Sequence, residues 1–138
     1  MAKKTVGVIG LGSMGYGMAV ALLKAGHRVY GTDINPEAVQ RFRADGGEPG
    51  DFSAAAPEFD AVVIVVLNAA QTEAVLFGPE GVAPRLRQGS AVIACATVPP
   101  DFARAMEARC SDLGLHYLDA PISGGAVKAA EGRLSVMA

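Results

Sequence analysis

The segment Gly10-Leu11-Gly12-Ser13-Met14-Gly15 carries three glycines at the spacing GxGxxG. An apolar run at residues 5–9 precedes it and an alanine- and leucine-rich stretch follows, so the context predicts a strand, a tight turn and a helix. Gly10 permits the turn, Gly12 lets backbone approach a pyrophosphate, and Gly15 allows the helix to pack closely on the strand. The helix start offers free N–H groups and the positive end of a dipole to phosphate oxygens. Asp33 stands 23 positions past Gly10, at the end of a second β-branched run. A carboxylate there accepts hydrogen bonds from the adenosine ribose hydroxyls and repels the additional phosphate of NADP. Ile34 and Asn35 follow it, with no arginine to receive that phosphate. The expectation is an NAD site. A structural turn with a solvated aspartate, a flavin site and an S-adenosylmethionine site are the other readings of this spacing.

A second segment, Asp119-Ala120-Pro121-Ile122-Ser123-Gly124-Gly125, follows a short strand-like run. If a helix begins there, the Ser123 hydroxyl and the amides of Ser123, Gly124 and Gly125 can hold a carboxylate. An N-cap serine with a glycine turn explains the same residues equally well. Thr97 comes just after an apolar run at residues 91–96, the edge where ligands bind in open parallel sheets, although a turn before Pro99 and Pro100 also accounts for it. The Leu67-Asn68 turn belongs to the same edge and is expected to cover the cofactor. Lys128 lies in an alanine-rich stretch and reads as a solvated helix position. His27 and His116 lead into strands and read as structural, and Cys95 as a core residue.

The elements that must position these residues alternate regularly. Strands are expected at residues 5–9, 28–32, 61–67, 91–96, 116–119 and 134–137. Helices are expected at 14–25, 36–44, 69–77, 100–113 and 124–130. Asn35, Pro36 and Glu37 supply an N-cap, a first-turn proline and a first-turn acid. The run AVVIVVL at 61–67 is continuously apolar, as in a parallel strand covered on both faces. This rhythm predicts an α/β fold, a doubly wound parallel sheet of Rossmann type, in one domain. The last strand closes nothing, so the expectation is a chain truncated before a further domain, with a sheet edge left open at that strand.

The 138 residues are 51% apolar and 19% charged, a globular composition. The net charge of −2 argues against a nucleic-acid partner. No apolar run approaches the roughly 20 residues that span a bilayer, so no membrane partner is expected. Cys95 and Cys110 show neither metal-ligand spacing nor a disulfide framework, which points to a reduced, cytoplasmic setting and no metal.

The opening stretch VGVIGLGSMGYGMAVALLKAGHRVYGTD, with Met14, Met18, Ala19 and the pair Gly26-His27, resembles the N-terminal signature of the β-hydroxyacid dehydrogenases. That family includes the 3-hydroxyisobutyrate and tartronate semialdehyde enzymes. The segment 119–125, with Ala130, Gly132 and Leu134, is similar to the family's substrate-binding segment. Asn68-Ala69-Ala70 replaces the family's usual proline-containing turn and resembles the threonate-like branch, as do residues 66–71, 75–78 and 123–130. The resemblance implies NAD-dependent oxidation of the hydroxyl-bearing carbon of a small hydroxy acid. It implies cofactor contacts at Gly10, Leu11, Gly12, Ser13, Met14, Gly15, Asp33, Ile34, Asn35, Leu67, Asn68 and Thr97, and substrate contacts at Ser123, Gly124 and Gly125. It places the proton-transferring lysine, beside a substrate-orienting asparagine, beyond Ala138, so no catalytic base is expected in these residues. It implies a helical C-terminal domain that closes the cleft and carries the contacts of a dimer or tetramer. A non-catalytic NAD-binding module is the reading of a different class.

Overall fold

The computed structural model describes residues 3–120 together with 122–123 and 135–136. The first strand, β1 (Thr5–Ile9), feeds α1 (Ser13–Lys24), then β2 (Arg28–Thr32) and α2 (Pro36–Ala44). A short helix α3 (Phe52–Ala55) and a 3-10 turn (Ala56–Glu58) lead to β3 (Ala61–Ile64) and α4 (Ala69–Phe77). A second 3-10 turn (Ala83–Arg85) precedes β4 (Ala91–Ala94), α5 (Pro100–Asp112) and β5 (His116–Asp119). The five strands form one parallel sheet in the order β2-β1-β3-β4-β5. The chain moves outward from β1 to β2, then returns to the other side of β1 for β3. That reversal opens a crevice at the carboxyl ends of β1 and β3.

The central strands β1, β3 and β4 are covered on both faces and read as apolar runs, whereas the edge strand β5 (HYLD) stays partly exposed. Side chains alternate between two cores. Val62, Ile64 and Val92 enter one with Tyr30, Phe59, Leu76 and Cys110. Val6, Val8 and Val63 enter the other with Leu11, Ala19, Val29 and Phe42. At the amino ends of the strands, Asp60 ties three of them together. Its carboxylate accepts from Thr5 N at 2.9 Å and pairs with Arg87, while its carbonyl accepts from Ala91 N at 3.1 Å.

The expected strands at 61–67 and 91–96 are shorter than their apolar runs. β3 ends at Ile64 and β4 at Ala94 because β1 ends at Ile9 and leaves them no neighbour to extend against. Val65 N still donates to Ile9 O at 2.8 Å and Cys95 N to Ile64 O at 3.0 Å, after which the backbone turns away. Residues 65–67 and 95–97 therefore become loops over the crevice. The last expected strand is also corrected. Ser135–Val136 (β7) does not extend the parallel sheet but pairs antiparallel with Ile122–Ser123 (β6) in a separate two-stranded sheet. The expected helix at 124–130 lies outside the described residues. Among those described, no helix is long and apolar enough to cross a membrane, and no cluster of His, Cys, Asp and Glu could hold a metal ion.

Candidate functional site

The glycine loop owes its shape to backbone contacts that exclude side chains. Gly10 adopts φ +99°, and a Cβ there would overlap the Val65 carbonyl oxygen. A Cβ on Gly15 would overlap the Gly10 carbonyl oxygen, so β1 and α1 meet backbone to backbone. Leu11 anchors the turn by burying its side chain in the core, 2% exposed. Gly10 N donates to Thr32 O at 2.9 Å, which joins the loop to the end of β2.

Gly12 is different. It has φ −70° and ψ −172°, which any residue can adopt, and, its chain neighbours apart, none of the described residues has an atom within 4 Å of where its Cβ would be. Nothing among the described residues requires glycine there. It is also the N-cap of α1 and offers no side-chain cap, whereas Asn35, Asp51 and Asn68 cap α2, α3 and α4. The first amides of α1 are thus left for an outside acceptor. An open cradle beside uncapped amides fits a diphosphate.

A cavity of about 740 Å³ lies in front of these amides, and most of its polar and apolar lining comes from strand ends. Its walls include Gly10, Gly12, Ser13, Met14, Gly15, Asp33, Ile34, Leu67 and Thr97, all expected from the sequence. Leu11, Asn35 and Asn68, also expected, are not among the residues lining it. Leu11 N donates to Asp33 Oδ2 at 2.6 Å. Asn35 N donates to Asp33 Oδ1 at 2.9 Å, and the Asn35 side chain accepts from Glu37 N at 3.0 Å. Asn68 Oδ1 accepts from Gln71 N at 2.9 Å, while Gln71 Oε1 accepts from Leu67 N at 2.8 Å. These reciprocal bonds fix the turn that presents Leu67.

Ile34 and Leu67 are 102% and 85% exposed, an unfavourable arrangement for apolar side chains unless something flat and apolar covers them. Both line the same cavity. Sequence reasoning missed Val65, Val66, Gln71, Ala74, Val75 and Cys95 as lining residues. The signal available was the surplus of apolar residues beyond the strand ends. Burial pushes the Cys95 thiol up to about 11, so it is a wall residue and not a nucleophile at neutral pH.

The Asp119 Oδ1 atom and the Tyr117 hydroxyl are buried with no hydrogen-bond partner among the described residues. Burial, then the nearby Asp119 charge, pushes Tyr117 up to about 12. Ser123 lies in β6, opposite Ser135, and the helix expected to follow it lies outside the described residues. Gly124, Gly125 and Lys128 lie outside the described residues. His27 accepts from Lys4 N at 3.0 Å through Nδ1, in keeping with its structural reading.

Residues 5–138 match the family described as the NAD binding domain of 6-phosphogluconate dehydrogenase. The chain belongs to that family, and NAD is the cofactor that such a domain holds. Among curated proteins it is 50% identical over 136 residues to an L-threonate dehydrogenase from Cupriavidus necator, covering 98% of this chain and 46% of that one. It is 39% identical to a 3-hydroxyisobutyrate dehydrogenase from Pseudomonas aeruginosa, covering 94% of this chain and 44% of that one. A crystal structure described as 3-hydroxyisobutyrate dehydrogenase from Salmonella typhimurium superposes with a TM-score of 0.92 at 44% identity, over 98% of this chain and 47% of that one. The chain spans about half the length of the relatives it matches.

Proposed function

We propose that this chain is the NAD-binding half of a hydroxy-acid dehydrogenase whose substrate is L-threonate. The observation that carries the substrate is the 50% identity with an L-threonate dehydrogenase across 98% of the chain, against 39% with a 3-hydroxyisobutyrate dehydrogenase. The Salmonella structure described as a 3-hydroxyisobutyrate dehydrogenase, 44% identical, favours that substrate as the second reading.

In this reading the uncapped amides of Gly12, Ser13 and Met14 hold the pyrophosphate. Asp33 accepts from the adenosine ribose hydroxyls and disfavours NADP. Ile34 and Leu67 supply apolar walls for the adenine. Thr97, exposed beyond β4, stands at the nicotinamide end. NAD held there would supply the acceptor for a hydride from the hydroxyl-bearing carbon of the substrate. Ser123, Gly124 and Gly125 hold the substrate carboxylate. Cys95 sits in the wall with its thiol neutral, so it takes no proton from the substrate. The hydroxyl proton needs a base, and the family resemblance assigns that role to a lysine beyond Ala138. A module that binds NAD without turnover is the alternative of another class.

The test is NADH formation by the protein carrying this domain, with L-threonate and 3-hydroxyisobutyrate offered with NAD+ in parallel, and NADH consumption with tartronate semialdehyde in the reducing direction. L-threonate is expected to give the highest kcat/KM. No turnover of L-threonate, or a higher kcat/KM for 3-hydroxyisobutyrate, would remove the substrate assignment. Absence of any turnover with NAD still bound would leave the non-catalytic module.

A further inference from the structure

An aspartate that served only the ribose would leave its carboxylate free in the cavity. Here both oxygens are already in use. Oδ2 accepts from Leu11 N at 2.6 Å, inside the glycine loop, and Oδ1 accepts from Asn35 N at 2.9 Å. A carboxylate offers about four acceptor positions, so about two remain for a pair of ribose hydroxyls. The bond to Leu11 is short and charge-assisted, the strong class of hydrogen bond.

The loop needs such a tie. Gly10 is in the left-handed region, where glycine imposes no side-chain restraint of its own. Gly12 carries no side chain and, beyond its chain neighbours, meets none of the described residues near its Cβ position. Between them, the Leu11 peptide is held from one side by the buried leucine side chain and from the other by Asp33. Rotation of that peptide would redirect the amide that follows it, the first of those facing the cavity. We propose that Asp33 is a positioning residue for the pyrophosphate seat as well as a ribose ligand. Through the Leu11 amide it holds the glycine loop in the shape that presents Gly12, Ser13 and Met14 to phosphate. This rests on the dinucleotide assignment of the cavity.

One consequence separates this role from simple ribose recognition. Removing the carboxylate relieves repulsion of the NADP phosphate, yet it also loosens the seat that every dinucleotide uses. Asp33→Ala therefore weakens NAD+, NADP+ and inorganic pyrophosphate together and does not convert the chain to NADP preference.

The experiment measures binding of these three probes by calorimetry to the native chain, Asp33→Ala and Asp33→Asn. It also follows hydrogen exchange at the Leu11 amide with no ligand present. Loss of one hydrogen bond to a charged acceptor corresponds to roughly a tenfold to hundredfold effect. Asp33→Ala is expected to weaken pyrophosphate and NADP+ by about that factor and to speed Leu11 exchange to a similar extent. Asp33→Asn keeps one acceptor oxygen and is expected to recover part of both, which a general loss of packing would not. Unchanged pyrophosphate binding and unchanged Leu11 exchange in Asp33→Ala, with only NAD+ weakened, would overturn the positioning role. If the native chain holds pyrophosphate but not NAD+, the dinucleotide assignment fails instead. The Leu11 exchange in the unliganded variants then still decides the loop role.

Discussion

Gly12→Ala separates what the fold needs from what the ligand needs. Apart from its chain neighbours, the added methyl meets no atom of the described residues within 4 Å, and the backbone at φ −70° accepts alanine. Replacing glycine lowers unfolded-state entropy, worth about 0.4–1 kcal/mol in favour of folding. Alanine is a poorer N-cap than glycine by a similar amount, about 0.5–1 kcal/mol. The two offset, and the melting temperature is expected to stay within a few degrees, roughly, of the native value. Binding is another matter, because the methyl projects into the space assigned to the pyrophosphate. Displacing the diphosphate from two amides forfeits two charge-assisted bonds of about 1.5–3 kcal/mol each, so NAD+ affinity is expected to fall by roughly a hundredfold or more. Gly15→Ala is the control, since its methyl overlaps the Gly10 carbonyl oxygen. Overpacking of that kind costs about 1–3 kcal/mol or more, so both stability and binding fall. Calorimetric titration with NAD+ and thermal melting of both variants decide the matter. Native-like NAD+ affinity in Gly12→Ala, or a melting point depressed as far as in Gly15→Ala, would refute the reasoning.

Other consequences concern the frame. The Thr5 amide, then the Arg87 charge, hold the Asp60 carboxyl below its ordinary 3.8 despite an opposing contribution from burial. Its stabilisation is present above that ordinary value and is lost as pH falls through the lower folded value. Melting curves taken across acid pH should therefore show a decline below about pH 3.8 that is shallower in Asp60→Asn, and equal slopes would contradict the tie. Ser90 is fully buried with no partner for its hydroxyl among the described residues, so Ser90→Ala should be neutral or stabilising by up to ~1 kcal/mol in denaturant titrations. A clear loss of stability would reveal a hydrogen bond at that hydroxyl. Burial pushes the thiols of Cys95 and Cys110 up to about 11. Both are expected to resist a disulfide reagent near neutral pH in the folded chain and to react fully in guanidinium, and rapid labelling of the folded chain would count against this.

The sequence pattern carried most of the architecture. Helices α2 and α4 declare their starts through Asn35 and Asn68, whose side chains cap them as N-cap chemistry requires. Strand ends were less legible, because the runs at 61–67 and 91–96 do not reveal where a neighbouring strand stops. That uncertainty concealed much of the cavity wall, since Val65, Val66 and Cys95 look like strand core until β1 ends at Ile9. The short helix Phe52–Ala55 was not expected, although Asp51 accepts from Ala54 N at 2.9 Å as its cap. Four residues are too few to show a helical period. Gln71 gave no sign of its part in holding Leu67, because that bond depends on the turn geometry of Asn68 and not on residue type alone. The tie from Asp33 to Leu11 was hidden for a similar reason. Spacing puts the aspartate just past the end of β2, but only the folded loop shows one of its oxygens bonded to the glycine turn.

Calorimetric titration of the 138-residue chain with NAD+ and with NADP+ decides whether the cavity between the glycine loop and Asp33 takes NAD. NAD+ is expected to bind saturably, with NADP+ weaker. No binding of NAD+, or tighter binding of NADP+ than of NAD+, would remove the cavity as an NAD site.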